Sequence, residues 1–186
     1  MASQGPLSPS SVVHVAGPDS DWETPENAVS SNNLYANVFL AVPAAISDLL
    51  RATSFGFDIP TGATIDGVLL EMEVNSEQAV VCEHELYLVK AGVRAGDNRF
   101  VGPAPGLWPA ADAYLTRGGA ADLWGASLSV ADVEDSGFGV ELAVTNHDEF
   151  SDKTAQVDHI RMTVYYTVAA GPGPTLRLTR SNLTLG

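Results

Sequence analysis

The stretch SFGFDIPTGATIDGVLLEMEV, Ser54–Val74, decides the fold class. Val68, Leu70, Met72 and Val74 fall on one side of a two-residue period, and Gly67, Leu69, Glu71 and Glu73 on the other. That is a half-buried strand, apolar inward and acidic outward. Phe55 and Phe57 read as an aromatic strand before it, with Pro60-Thr61-Gly62 as the turn. The same period returns downstream. Val80–Lys90 alternates over a long strand, and Phe138, Val140, Leu142 and Val144 alternate with Gly139, Glu141 and Ala143. In the last strand Ile160, Met162, Val164 and Tyr166 face inward, with His159, Arg161, Thr163 and Tyr165 outward. Leu34–Pro43 supplies one more. Strands with one wet face pair antiparallel and pack in two layers. The expected fold is therefore all-β, an antiparallel two-sheet β-sandwich.

Composition agrees. A chain of 186 residues suits one domain, 45% of it is hydrophobic, and 17 Gly with 11 Pro supply the turns that a sandwich or jelly roll needs. A net charge of −14 argues against a nucleic-acid partner, which requires a surplus of Lys and Arg. It suits a protein held at high local concentration, because like-charged copies repel. Cys82 is the one cysteine, so an internal disulfide and a Cys-rich zinc site are excluded. Its strand register, shared with Val80, Leu86 and Leu88, reads as a small buried apolar residue. MASQGPLSPSS has neither the basic nor the apolar region of a signal peptide, and the apolar runs fall far short of a membrane span. Synthesis in a cytoplasm and no membrane partner are expected.

Three segments are expected. Residues 1–20, rich in Ser, Pro and Gly around Val12–Val15, form an extended arm able to add an edge strand. Residues 21–168 form the sandwich, and 169–186 a linker and docking arm. Gly171–Pro174 begins that last segment, and TLRLTRSNLTLG follows with Arg177, Arg180 and no acid. Its leucines 176, 178, 183 and 185 make a β-like apolar side that the sandwich has no room to bury. A disordered terminus is the alternative. Within the sandwich, Gly92–Gly119 reads as a long surface loop anchored by Trp108 and Tyr114. Ala120–Val133 reads as holding a helical turn capped by Ser129, and Ala44–Leu50 as room for another.

Catalytic signatures are missing: no GxGxxG, Walker loop, GxSxG or HExxH occurs. His14, His84, His147 and His159 are scattered. His84 lies on the apolar register of its strand and His159 on a solvated outer face, so neither a catalytic residue nor a metal or other cofactor is expected. The clusters Asp132, Glu134, Asp135 and Asp148, Glu149, Asp152 invite calcium, but they lack EF-hand spacing and read as solvated loop charge. Asp158 falls on an inward register, where it would cap backbone groups or pair with an arginine at the rim. Trp22, Trp108, Trp124 and Tyr114 offer an alternative function, stacking on sugar rings, although anchoring a loop is the simpler task for Trp124.

Several segments then form a series: Trp22 with Asn27-Ala28, FGFDIPTGATIDG (Phe55–Gly67), DLWG (Asp122–Gly125), SGFGV (Ser136–Val140) and VDHIRMTVYYT (Val157–Thr167). Over residues 20–167 this resembles a jelly-roll-like β-sandwich found among tailed-bacteriophage virion proteins. The resemblance implies a non-catalytic structural role on the particle, as capsid decoration (cement) or as part of a tail or receptor-binding appendage. A compact sandwich with extended arms suits decoration: a trimer on the capsid surface, bridging subunits of the major capsid protein. Candidate contacts are Val12, Val13 and Val15 in the first arm and Leu176, Arg177, Leu178, Arg180 and Leu183 in the second. The rival reading is a surface module binding host glycan through Trp108, Tyr114 or Trp124.

Overall fold

A computed structural model describes residues 1–42 and 44–169. The described residues form an antiparallel two-sheet β-sandwich of eleven strands: β1 (Ala2–Leu7), β2 (Ser11–Val15), β3 (Trp22–Glu23), β4 (Ala36–Leu40), β5 (Leu49–Thr53), β6 (Thr64–Ser76), β7 (Val81–Lys90), β8 (Val93–Ala95), β9 (Ala113–Gly118), β10 (Gly139–Asn146) and β11 (Lys153–Thr167). The first sheet runs β3-β4-β11-β6-β9, and the second runs β2-β5-β10-β7-β8. Strand β1 also joins β11. Because β6 occupies one flank of β11 throughout, β4 and β1 share the other, at opposite ends of this long strand.

The alternation of Val68, Leu70, Met72 and Val74 puts all four in the core, facing Leu50, Leu86, Leu88, Val140, Leu142 and Val144 of the other sheet. The aromatic segment before β6 departs from expectation. Phe55 and Phe57 are buried but unpaired, because the chain there leaves the second sheet after β5 and crosses the sandwich end to reach the first. Their rings stack with centroids 6.0 Å apart, and Phe57 meets Phe138 edge-on at 6.3 Å. The Ile59 N–H donates to Glu134 at 2.8 Å, which ties this crossing to the helical turn Val130–Glu134. Ser129 caps that turn in a reciprocal box with Asp132, as its sequence position predicts. Ala44–Leu50 forms no helix; isolated bridges at Ile46 and Ser47 lead straight into β5.

Residues 1–20 are not a free arm. Strand β1 lies in the first sheet and β2 in the second, so the chain between them crosses from one layer to the other. Val12 is buried opposite Ala52, because the apolar alternation that suggested an arm satisfies an edge strand of this same domain. Gly92–Gly119 likewise is not all loop: it contains β8 and the edge strand β9. The region expected as the second arm, with Leu176, Arg177, Leu178, Arg180 and Leu183, lies outside the described residues.

Two of the register shifts decide the placement of Cys82, His84 and Asp158. One separates the β10 pairs Ala143–Glu85 and Val144–Glu83, so His84 is the extra residue and points to solvent. Glu83 and Val81 thereby turn inward, and Cys82 faces the other side with Thr145, buried outside the main core. Burial pushes the Cys82 thiol up to about 11, helped by the neighbouring Glu83 charge. The other bulge, between Val157 and His159, makes Asp158 the extra residue. It is buried and accepts the Asn32 N–H at 3.2 Å, the backbone-capping role expected of it.

Candidate functional site

The outer face of the first sheet carries the densest polar cluster. In register across β9, β6 and β11 lie Tyr114, Glu73 and His159, and in the next row Thr116, Glu71 and Arg161. His159 sits outward, as its alternation predicts, but it is buried instead of solvated, because the crossing between β1 and β2 passes over it. Ser8 Oγ lies 2.8 Å from His159 Nε2, and Tyr114 Oη lies 2.8 Å from Nδ1. Burial, with the Arg161 charge beside it, holds the imidazole below its ordinary pKa. A neutral ring has one donor and one acceptor nitrogen, and two hydroxyls satisfy both. Tyr114 is pushed above the usual tyrosine value by burial and by Glu73. The Arg161 guanidinium stacks 4.1 Å from the Tyr114 ring centre and forms a two-pronged pair with Glu71.

Serine, histidine and a third hydroxyl in line outline a nucleophile, base and orienter. A substrate cleft is the further requirement, and two grooves formed by the described residues lie elsewhere. One, of about 370 Å³, is lined by Ala44, Asn146, His147, Asp148 and Glu149. The adjoining one, of about 300 Å³, shares Ala44 and His147 and reaches Cys82, His84, Phe100 and Pro103. Neither is lined by Ser8, Tyr114 or His159. The Ser8–His159–Tyr114 chain ties the β1–β2 crossing to the sheet beneath it.

The second sheet's outer face is organised around Glu141. This buried carboxylate takes Arg51, and Arg94 Nε at 2.8 Å; Arg94 also lies 4.7 Å over the Tyr87 ring and reaches Glu85. Arg117 of β9 points inward and crosses to Glu83 of the opposite sheet at 2.6 Å. Glu83 also accepts the Val101 N–H at 2.9 Å.

Of the aromatics considered for sugar stacking, Trp108 and Trp124 are 0% exposed. Trp124 Nε1 donates to the Val68 carbonyl at 3.0 Å, and both indoles fill the core, so they offer no face to a ligand. Trp22 is also buried, its Nε1 donating to the Asp48 carbonyl. Tyr114 alone remains at the surface, half-buried beside Arg161. The large apolar side chains that do reach solvent include Phe150, 88% exposed in the β10–β11 connection, and Phe39, 59% exposed on β4 opposite Thr154. Both sit at the end of the first sheet away from Val168, where the described chain leaves β11. Val13 is exposed on edge strand β2, while Val15 is half-buried.

Among the described residues, all but Glu149 of the acidic residues weighed for calcium have partners within the chain. Asp132 caps its helical turn and pairs with Lys90. Asp148 accepts the Phe150 N–H and the Ser151 hydroxyl and meets Lys153, and these partners, the Phe150 N–H foremost, hold its carboxyl down at about 2. Asp152 accepts the Val42 N–H at 2.9 Å. Metal-ligating atoms converge at a place that spacing did not mark, His14, Asp21 and Asp48. No protein-family profile, curated protein or solved structure matches this chain.

Proposed function

We propose that this protein is a non-catalytic structural component of a tailed-phage particle, decorating the capsid shell and bridging neighbouring subunits. The jelly-roll kinship, the phage setting and the trimeric state belong to this reading and rest on the resemblance of residues 20–167. The observation that carries the choice of binding over chemistry is the distribution of side chains. The tryptophans that could grip a small ligand are packed inside, while Phe150 is exposed beside Asp148, Glu149 and Asp152 in its loop and Phe39 is exposed on β4. Contacts of that kind add affinity by being repeated over many copies, not by a deep pocket. The tail, residues 169–186, is the proposed docking arm, leaving β11 at the end opposite Phe150. The glycan alternative retains only Tyr114 of its three aromatics.

Quantitative mass spectrometry of purified particles tests the reading. Copy numbers comparable to the major capsid protein are expected; a few copies per particle would move the protein to the tail or a vertex, and absence would end the virion reading. A chain truncated after Val168 is expected to keep its fold by circular dichroism and lose particle binding. Binding at full strength would refute the arm.

A further inference from the structure

We propose that His14, Asp21 and Asp48 form a binding site for one divalent transition metal, zinc by preference, which clips edge strand β2 and the loop after it onto β5. His14 lies on the inward register of β2, opposite Leu50, at the rim of the sandwich. The chain then turns through Gly17 and returns past Asp21 to β3, while Asp48 stands immediately before β5, the partner of β2. Three segments thus bring one imidazole and two carboxylates together. His14 Nε2 is 2.7 Å from Asp48 Oδ2 and 3.6 Å from Asp21 Oδ1, and all three ligand atoms lie within 4.8 Å of one another.

Zinc bonds to nitrogen and oxygen are about 2.1 Å long, which makes the edge of a tetrahedron about 3.4 Å. The present separations fall on both sides of that value. Small side-chain rotations therefore suffice, and backbone movement is not required. The backbone here is already fixed: the Asp48 N–H donates to the Ser20 carbonyl at 2.7 Å, and its own carbonyl accepts Trp22 Nε1 at 2.9 Å. Gly17 passes so near that a Cβ there would come within 2.9 Å of the Asp48 Cα.

Charge gives the second argument. Buried Glu83 and Glu141 are each met by arginine, but among the described residues no Lys or Arg pairs with Asp48 or Asp21. The Asp48 residue is only 5% exposed, and among the described residues the basic side chain paired with it is His14. A divalent cation completes the neutralisation. A neutral imidazole offers Nε2 to the metal and carries its proton on Nδ1. The Asp21 side chain is 80% exposed, so solvent reaches the site and supplies a fourth, water ligand. An imidazole with only two carboxylates suits zinc better than calcium, which takes six to eight oxygens.

The test is calorimetric titration of zinc chloride into the full chain, stripped with chelator and free of any polyhistidine tag, with thermal melts alongside. One zinc per chain and a raised melting temperature are expected. Asp21→Asn should weaken zinc roughly tenfold or more while leaving the metal-free melt unchanged, since this exposed residue adds little to the fold. His14→Gln should remove the site. No zinc binding, or equal binding by wild type and both variants, would overturn the proposal, the latter placing the metal elsewhere. Displacement of zinc by an equal amount of calcium would overturn the assignment to a nitrogen-containing transition-metal site.

Discussion

Replacing Arg117 with leucine is the sharpest probe of how this sandwich is held together. Arg117 crosses from β9 to Glu83, whose side chain is wholly buried in the opposite sheet. The variant leaves that carboxylate with a single N–H, from Val101, as partner. An uncompensated buried charge of this kind costs about 3–5 kcal/mol. At this chain length each kcal/mol lowers the melting temperature by about 2–4 °C, so a drop of roughly ten degrees is expected. The double variant Arg117→Leu with Glu83→Leu removes both charges and adds apolar volume. It should recover about half of the loss and retain a deficit of about 1–3 kcal/mol, from the Val101 N–H left without its acceptor. Urea unfolding of wild type, both single variants and the double variant closes the cycle. If Arg117→Leu alone costs less than about 1 kcal/mol, the carboxylate is not desolvated and the cross-sheet pair does not exist as described.

Two pH effects follow from the same structure. Asp148 is held at about 2 by the Phe150 N–H, Ser151 and Lys153, so its contribution is present above the ordinary carboxylate range and is lost as pH falls towards that value. A carbon-detected NMR titration should give that low midpoint, and a midpoint at the usual value of 3.8 would refute the loop geometry. His159 is depressed by burial and by Arg161, so the unfolded chain binds its proton first as pH falls. Stability is therefore full above about pH 6.5 and declines below it until the folded ring itself is protonated. The wild type should lose urea resistance more steeply than His159→Gln between about pH 7.5 and about pH 5; parallel curves would show that the ring is solvated.

The placement of His159 also shows where sequence reading stops. Its outward direction follows from the alternation of β11 alone, but its burial depends on Ser8, 151 positions away. The tryptophans present a similar case. Trp108 and Trp124 stand among glycines and prolines, a setting that reads equally well as an exposed platform or as an anchor. Only the position of the Val68 carbonyl and the surrounding core settles that they are anchors. The two-residue period of β7 puts His84 inward, and one inserted residue interrupts that period. A bulge is a property of a pair of strands, so β7 read without β10 carries no mark of it.

By itself the sequence determined that the chain is all-β and two-layered, and which side chains of β6, β10 and most of β11 face inward. Those properties follow from period-two alternation, which each strand carries locally. Tertiary structure alone decided the remainder: the crossing of β1 and β2 between the sheets, the bulges at His84 and Asp158, and the Arg117–Glu83 pair across the core. It also brought His14, Asp21 and Asp48 together from three segments. The physical reason is common to all of these. Each depends on which distant strand becomes a neighbour, and that choice is made by burying one continuous core, not by any residue's local preference.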